Sequence, residues 1–363
     1  MAEKHPAPDP EQVLRQTLAM IAPGTVLRDG LERIVLGRTG GLIVLGHDKA
    51  VEQLTGGGFT LDVELTATRL RELAKMDGAI ICDSSVARII KAAAQLLPDP
   101  AIPTDETGTR HRTADRIAKQ TGLPVISVSK SMSTIALYVA GRRYVLEDRA
   151  AILARADQAL STLERYKARF DAVAGALFAL EIEDLVTVRD LALVLQRLEM
   201  VRRIAREIEG YVVELGTDGR LLKLQLDELV AGIGTERDAL LRDYVPSAAK
   251  GSKAKPIPVA SAALDTLNDN QLLDMAEIGN ALGLGTAPDL AIAPRGYRML
   301  ARVPRLSETI VERLVSHFHH LQPLLSASID ELQAVEGIGD TRARYVRDGL
   351  ARIAETTLLE RFA

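Results

Sequence analysis

The stretch MDGAIICD, residues 76–83, sets the first expectation for the fold. Its run GAIIC is short and apolar, which predicts a buried strand. Asp77 lies directly before this run and is followed by a glycine. The flanking stretches LTATRLRELAKM and VARIIKAAAQLL both carry apolar residues at helical spacing, so we expect a helix on either side of the strand.

The alternation of strands and helices extends in both directions from this stretch. Residues 31–46, LERIVLGRTGGLIVLG, form two apolar runs around Thr39-Gly40-Gly41, which predicts a tight hairpin. Further on, ADRIAKQTG predicts a helix that ends at Gly122, and LPVISVS and STIALYVAGRRYVL predict more strands. The pattern is typical of an α/β domain, which we place at residues 1–147.

The rest of the chain is predicted to be helical and divided into domains. Residues 148–244 repeat apolar positions every three or four residues without a proline, which indicates a helical spine. Residues 245–262 are rich in Pro, Ser and Lys and are predicted to be a flexible linker. Residues 263–363 are predicted to be a helical DNA-binding domain with two related helical hairpins, a degenerate one at 300–318 and an intact one at 332–353.

Composition limits the classes of function. The 363 residues include no Trp and only 3% aromatics, which argues against base-stacking surfaces, and the net charge of -4 gives no general attraction to DNA. Any contact with nucleic acid must therefore come from a local patch. Cys82 is the only cysteine, which excludes a disulfide within the chain, and neither a signal peptide nor a membrane-spanning stretch is evident. We expect a soluble, cytoplasmic protein.

A second stretch, GTRHRT at residues 108–113, concentrates cations and hydroxyl groups before a predicted helix. Arg110, His111 and Arg112 lie between Thr109 and Thr113. A helix N-terminus offers unpaired N–H groups and about half a positive charge, so this combination indicates a polyphosphate site. Taken alone, such a run is more often a solvated helix start.

Asp77 is the candidate acid of the same domain. With the small residues Gly78 and Ala79 after it, its carboxylate could bind a divalent metal or accept a proton from a sugar hydroxyl. Taken alone, Asp-Gly before a strand is more often a turn. The sequence contains no Gly-x-x-x-x-Gly-Lys-Ser/Thr pattern, so a nucleotide enzyme of this sequence is not a P-loop protein.

The intact C-terminal hairpin carries a glycine turn followed by arginines. The N–H groups of such a turn, with the start of the next helix, can point at a phosphate. The alternative is a purely structural role, in which the turn belongs to an ordinary helical bundle with arginines on a solvated face. In the degenerate copy Arg305 and Ser307 replace the two glycines, so we expect it to buttress the intact copy. The residues expected to contact DNA are Gly337, Ile338, Gly339, Arg342, Arg344 and Arg347.

Four stretches together resemble a known family. These are AKMDGAIICD, QLLPDPAIPTDETGTRHRTADRIAKQTGLPVISVS, GYRMLARVPRL and GIGDTRAR, and they are similar to the DisA family of diadenylate cyclases. The resemblance implies a multidomain protein of α/β plus all-α class. It would comprise an N-terminal α/β diadenylate cyclase domain with a central mixed sheet, a helical spine and a C-terminal helix-hairpin-helix domain.

The resemblance also implies a reaction and roles for residues. Two ATP molecules would condense to cyclic di-3′,5′-adenylate with release of two pyrophosphates. Asp77 would contact Mg²⁺ or Mn²⁺ and the attacking hydroxyl, Gly78 and Ala79 the ribose, and Leu96 the adenine. The catalytic residues implied are Asp77, Arg110, His111 and Arg112. The residues implied to bind ATP are Gly78, Ala79, Leu96, Thr109, Arg110, His111, Arg112, Thr113 and Ser129.

The resemblance further implies an assembly and a regulator. Because one domain holds one ATP, two cyclase domains must face each other, and the family pattern is a homo-octamer. Branched DNA, bound by the C-terminal domain, would lower the synthesis of the cyclic dinucleotide, so the protein is expected to associate with DNA.

The chain departs from the family pattern after VISVS. The family often continues there with an acid and paired arginines, whereas this chain has Lys130-Ser131-Met132. Two alternatives to this function stay open. One is a DNA-junction scaffold that binds nucleotide without turning it over, and the other is a nucleotidyltransferase that modifies a protein or nucleic acid.

Overall fold

The computed structural model describes residues 9–246 and 256–362. They form two compact units, which are treated separately below. Unit 1 comprises the chain up to Gln158 together with Glu207–Gln225, and unit 2 comprises Ala159–Arg206 together with the chain from Leu226 onward. Across the described ranges, no helix has both the length and the apolarity that crossing a membrane requires.

Unit 1 is built around one eight-stranded mixed sheet, as predicted. The strand order is β2-β5-β4-β1-β6-β7-β8, with β3 paired to β5, and β1 and β4 are the parallel pair. The elements in chain order are α1 (Pro10–Met20), α2 (Val26–Leu36), β1 (Gly41–Leu45), α3 (Lys49–Gln53), β2 (Thr55–Gly56), β3 (Phe59–Glu64), α4 (Ala67–Leu73), β4 (Ala79–Cys82), β5 (Arg88–Leu96), α5 (Thr109–Thr121), β6 (Val125–Val128), β7 (Ile135–Val139) and β8 (Arg142–Val145).

Strand β1 shows that the sheet is covered on both faces. Leu42 and Val44 pack into a core with α3 and α5, whereas Ile43 and Leu45 pack into a core with α2 and α4. Successive residues of a strand point to opposite faces, so a strand buried on both sides must be apolar throughout. The same reason explains AIIC in β4, where the thiol of Cys82 is fully buried and burial raises its pKa to about 12.

Two local predictions in unit 1 were wrong. Residues 31–46 form the end of α2 followed by β1, because Leu31 and Ile34 lie one helical turn apart on a buried face. VARIIKAAAQLL forms β5, although alanine favours helices. Here the packing of the sheet outweighs the helix propensity of alanine. Ala93 has a φ of +53° at an irregularity in the pairing with β4. The small side chains of β5 let the neighbouring backbones approach.

The helical prediction for the middle of the chain is confirmed, and helices continue to the end of the described chain. The order is α6 (Arg149–Glu183), α7 (Val188–Leu215), a 3₁₀ turn (Gly216–Gly219), α8 (Arg220–Leu229), α9 (Ile233–Tyr244), α10 (Ile257–Thr266), α11 (Asp269–Leu272), α12 (Met275–Leu282), α13 (Tyr297–Ala301), α14 (Glu308–Phe318), α15 (Leu321–Ser326), α16 (Ile329–Gln333) and α17 (Asp340–Phe362).

The linker predicted at residues 245–262 is described only at its two ends. Residues 247–255 lie outside the described residues. From Ile257 the chain is helical, so the last part of that prediction was wrong. A proline at the start of α10 is compatible with a helix because the first turn needs no N–H donor there.

The two predicted hairpins have similar turns. Arg305 and Gly337 occupy corresponding positions and both have positive φ, +58° and +85°. Each turn leads into a long helix, α14 or α17, and Val303 and Val335 before the turns lie in one shared core. The backbone of the upstream turn is therefore retained although its glycine is not, at a cost of about 1–2 kcal/mol for a non-glycine residue in this region.

A buried ionic cluster fixes α13 within unit 2. The guanidinium of Arg298, 1% exposed, pairs with Glu181 on α6 at 2.6 Å and with Glu236 on α9 at 2.7 Å. Asp243 at the end of α9 accepts hydrogen bonds from the backbone N–H groups of Gly296, Tyr297 and Arg298. These contacts satisfy both the arginine and the first turn of α13.

Replacing Arg298 by alanine would leave the Glu181 carboxylate buried without its cation. Breaking such a pair costs about 3–5 kcal/mol, so we expect the free energy of unfolding to fall by about that amount. Urea denaturation followed by circular dichroism would measure it. The control is Arg189→Ala, which breaks the exposed pair with Asp289 and should cost under about 1 kcal/mol. Equal losses in the two variants would contradict the importance of the buried cluster.

Candidate active site

The N-terminus of α5 is open to a ligand. Its N-cap is Gly108, which supplies no side-chain cap, and the first helical hydrogen bond runs from the N–H of Arg112 to the carbonyl of Gly108 at 2.8 Å. The N–H groups of the preceding first-turn residues therefore have no partner within the helix. Together with the helix dipole they form a place where an anion is stabilised.

A cleft of about 770 Å³ opens in front of this helix end. Its size lies in the range of small-molecule sites, about 300–1,000 Å³. Of the residues predicted from the sequence, it is lined by Gly78, Ala79, Leu96, Thr109, Arg110, His111, Thr113 and Ser129. Sequence reasoning did not single out the further lining residues Leu42, Ala94, Gln95 and Gly108, and it named Lys130 and Ser131 only as a departure from the family pattern.

Gly78 lies on the cleft wall in a conformation that requires glycine. Its φ is +111°, and a Cβ there would lie 2.6 Å from the carbonyl carbon of Ala93. The backbones of β4 and β5 therefore meet directly at this point. Ala94 and Leu96 on β5 consequently line the same cleft as Gly78 and Ala79.

Asp77 lies beside Gly78 and is exposed, although it is not among the residues that line the cleft. Within residues 9–246 and 256–362, no ion pair engages it and no group of three or more acidic, His or Cys residues could hold a metal. A lone exposed carboxylate suits Mg²⁺ or Mn²⁺ that is also held by phosphates of a substrate. Asp77 would be the protein ligand of such an ion.

Arg110 and Arg112 point to different places. A Cβ on Gly40 would lie 2.0 Å from a guanidinium nitrogen of Arg110, so the glycine before β1 leaves the space that this side chain occupies at the cleft. Arg112 is exposed and donates to the carbonyl oxygens of Glu106 and Thr107, at 3.4 and 3.2 Å. Its contacts hold the loop before α5, whereas those of Arg110 lie at the cleft.

The imidazole of His111 is held in place by a hydrogen bond to a residue that the sequence analysis did not predict. Its Nδ1 lies 2.9 Å from the hydroxyl of Tyr138 on β7, which is 1% exposed. Glu106, in the loop before α5, lies next to this hydroxyl and pairs with Arg143 on β8 at 3.3 Å. Alternation along β7 could have placed Tyr138 on the α5 side of the sheet, but the sequence carries no signal for Glu106.

The pKa values of this group reflect its surroundings. Burial lowers the pKa of His111, with Arg143 and Arg110 acting in the same direction and Glu106 opposing them. Burial and the hydrogen bond to Glu106 raise the pKa of Tyr138 above its ordinary value. Tyr138 is therefore a neutral hydroxyl at physiological pH, and the surroundings of His111 favour its neutral form.

The loop after β6 contributes the remaining polar lining. The hydroxyl of Ser129 accepts from the N–H of Met132 at 3.3 Å and lies 3.4 Å from the hydroxyl of Ser131. Lys130 and Ser131 line the cleft together with Ser129. Two of the three residues at which the sequence departs from the family pattern, Lys130 and Ser131, thus lie at the candidate site.

The intact C-terminal hairpin has a groove of its own, about 790 Å³ in volume. Gly339, Arg342 and Arg344 line it, Ile338 is buried below the turn, and Arg347 is exposed further along α17. The guanidinium of Arg342 donates to the carbonyl of Gly337, and that of Arg344 pairs with Asp340 at 3.1 Å. Arg305 of the upstream turn lines the same groove.

Comparison with solved structures gives partial matches. One is a hypothetical membrane spanning protein from Bacillus cereus, 24% identical, with a TM-score of 0.31 over 34% of this chain and 62% of that one. Another is DacA from Staphylococcus aureus, 21% identical, with a TM-score of 0.30 over 37% of this chain and 88% of that one. Both matches cover little more than a third of the chain.

Comparison with protein families and curated sequences is decisive. Residues 28–143 match the model described as DisA bacterial checkpoint controller nucleotide-binding, and residues 146–290 match the DisA linker region. DNA integrity scanning proteins DisA from Parafrankia and Frankia alni are each 63% identical over 98% of this chain and 99% of their own. That of Streptomyces coelicolor is 61% identical over 96% of this chain and 94% of its own. The chain therefore belongs to the DisA family of DNA integrity scanning proteins.

Proposed function

We propose that the protein is a diadenylate cyclase, which condenses two ATP molecules to cyclic di-AMP with release of two diphosphates. The observation that carries the proposal is one cleft that brings Gly78 and Ala79, with Asp77 beside them, to the open N-terminus of α5 with Arg110 and His111. A carboxylate beside a cleft that contains an anion site fits a nucleotide whose hydroxyl reacts while its triphosphate is held. Membership in the DisA family supports the same reaction.

Each half of the reaction joins a 3′-oxygen to the α-phosphorus of the other ATP and breaks the bond to the leaving diphosphate. The proton of the 3′-hydroxyl would pass to the Asp77 carboxylate and from there to solvent. The N–H groups at the start of α5 and the side chains of Arg110 and His111 would hold the triphosphate. Asp77 would orient the attacking hydroxyl and hold Mg²⁺ or Mn²⁺. The metal, when bound, would offset negative charge that develops on the phosphates. Leu42, Ala94 and Leu96 offer apolar surface for the adenine.

The reaction requires two active sites that face each other, because one cleft of this size holds one ATP. We therefore propose that cyclase domains of two subunits meet face to face within a homo-octamer. Exposed apolar side chains lie next to residues that line the cleft: Leu97 follows Leu96, and Met132 follows Ser131. Burying such side chains between subunits would stabilise the pairing.

The C-terminal helices would bind DNA, preferentially branched DNA, through helix-hairpin-helix contacts to the phosphate backbone. The open space at Gly339 and the arginines around the groove support this proposal. DNA binding would then reduce the synthesis of cyclic di-AMP, which would report on chromosome integrity. The cytoplasm, in association with DNA, is the expected location.

The cyclase proposal is tested by Asp77→Asn. We expect purified wild-type protein with ATP and Mg²⁺ or Mn²⁺ to form cyclic di-AMP, resolved by chromatography, and the variant to be slower by at least about 100-fold, because the carboxylate charge is lost. Asp62→Asn is the matched control, since Asp62 is an exposed carboxylate on β3 that pairs with Arg88. ATP binding without product in either metal would favour the nucleotide-binding scaffold.

DNA binding is tested by Arg347→Ala. We expect weaker binding of a four-way junction and a fall of about 1 in the slope of log affinity against log salt, because one phosphate contact is lost. Fluorescence anisotropy at several salt concentrations would measure both. The control is Arg189→Ala, an exposed arginine of unit 2 outside the hairpins. An unchanged slope in Arg347→Ala would exclude this residue from the DNA contact.

A further inference from the structure

The groove of the intact C-terminal hairpin is shared with the degenerate one. Arg305 and Leu306 of the upstream turn line it together with Gly339 and residues of α17. The two hairpins also have one common core, which includes Val303 and Val335 before the two turns. Because a packed core holds its residues in place, the two turns reach the groove in a defined arrangement.

Direct contacts join each hairpin to the other. Arg313 on α14 donates to the carbonyl of Glu336 in the intact turn at 2.8 Å, and a Cβ on Gly337 would lie 2.5 Å from its guanidinium. In the opposite direction, a Cβ on Gly349 of α17 would lie 3.1 Å from a methyl group of Val303. The degenerate hairpin therefore supports the intact turn through Arg313, as a buttress would.

Arg305 has no such structural partner. It is exposed, and in the described part of the chain its side chain makes no ion pair or hydrogen bond. The other arginines of the groove are engaged, Arg342 by a backbone carbonyl of the intact turn and Arg344 by Asp340 at 3.1 Å. Asp348 also lines the groove and is exposed. Three guanidinium groups thus outnumber two carboxylates, and that of Arg305 has its N–H donors available to a ligand.

The backbone of Arg305 is in a conformation that glycine adopts more easily. Its φ is +58°, and the corresponding Gly337 of the intact turn has a φ of +85°. Glycine would adopt such an angle without steric cost, whereas a residue with a Cβ is disfavoured there. An arginine in this conformation, with its guanidinium at a groove, indicates a function of the side chain. A buttressing role alone gives no reason for the guanidinium.

We propose that Arg305 binds a phosphate of the DNA backbone, so that the degenerate and the intact hairpin contact the same DNA across the groove. The inference rests on the proposed DNA binding, to which it adds a contact from the degenerate hairpin. A guanidinium suits this ligand because it can donate two parallel hydrogen bonds to one phosphate. Such a contact positions the protein on DNA without reading its sequence.

Two variants separate the charge of Arg305 from its backbone conformation. Arg305→Gly removes the charge and fits the positive φ, whereas Arg305→Lys keeps the charge. We expect full-length Arg305→Gly to bind a four-way junction about 10-fold more weakly than the wild type. We also expect its slope of log affinity against log salt to fall by about 1, because one phosphate contact is lost. Arg305→Lys should keep the wild-type slope, and fluorescence anisotropy at several salt concentrations would measure all three proteins.

The stability of Arg305→Gly shows whether a loss of binding comes from a disturbed fold. We expect its midpoint of urea denaturation not to fall below that of the wild type, because glycine relieves the unfavourable backbone angle. Arg189→Ala is the control for a lost arginine elsewhere in unit 2, since Arg189 is exposed and pairs with Asp289 outside the hairpins. Its junction binding and salt slope should equal those of the wild type.

Junctions with single uncharged methylphosphonates locate the contact. At the phosphate that Arg305 binds, the replacement should weaken binding by the wild type and by Arg347→Ala about 10-fold. It should have no further effect on Arg305→Gly, because that contact is already absent. If no position in the junction shows this difference between the proteins, Arg305 does not contact a phosphate.

The anisotropy measurements distinguish failure of this inference from failure of the proposed function. If the wild type binds the junction and Arg305→Gly binds it equally well with the same salt slope, the degenerate hairpin is only a buttress. Equal weakening in Arg305→Gly and Arg305→Lys would also overturn the inference, because the charge is then not what binds. If the wild type binds no DNA even at low salt, the proposed DNA binding fails as well.

Discussion

The direct contact between the backbones of Gly78 and Ala93 is the constraint on which the candidate site depends. No side chain fits between them, so β4 and β5 approach each other at the end of the sheet where the cleft opens. The approach places Gly78 and Ala79 around one volume with the apolar residues Ala94 and Leu96 on β5, and Asp77 lies directly before Gly78. A residue with a Cβ at position 78 would separate these strands and disrupt the cleft.

The candidate site also requires an anion-binding group across the cleft from Gly78, and the N-terminus of α5, which packs on the sheet, provides it. Because helices pack on both faces, α5 is held against β6 and β7 with Gly108 at its exposed start. The loop before the helix is fixed by Arg112, and the imidazole of His111 by Tyr138. The groups that would bind phosphate thus lie on regular elements, which keeps their positions defined without a ligand.

The apolar periods of the sequence predicted the α/β domain and the helical chain after it, because the two kinds of pattern are distinct, whereas the mixed sheet was implied by the resemblance to the DisA family. Alanine-rich β5 was mistaken for a helix, since its strand conformation depends on contacts with Gly58 and Gly78 that lie elsewhere in the chain. Gly78 and Arg110, which line the cleft, belong to local sequence motifs and were therefore predicted from the sequence. Glu106 and Tyr138 were not, because their role depends on a contact across the fold.

The single cysteine has a practical consequence. Cys82 is fully buried in β4 and its thiol pKa is about 12, so almost no thiolate exists at neutral pH and neither alkylating reagents nor mild oxidants have a nucleophile to attack. A cysteine introduced at an exposed position would then be the only reactive thiol in the chain. Fluorophores or spin labels could be attached to a chosen helix of the native sequence without first removing a cysteine.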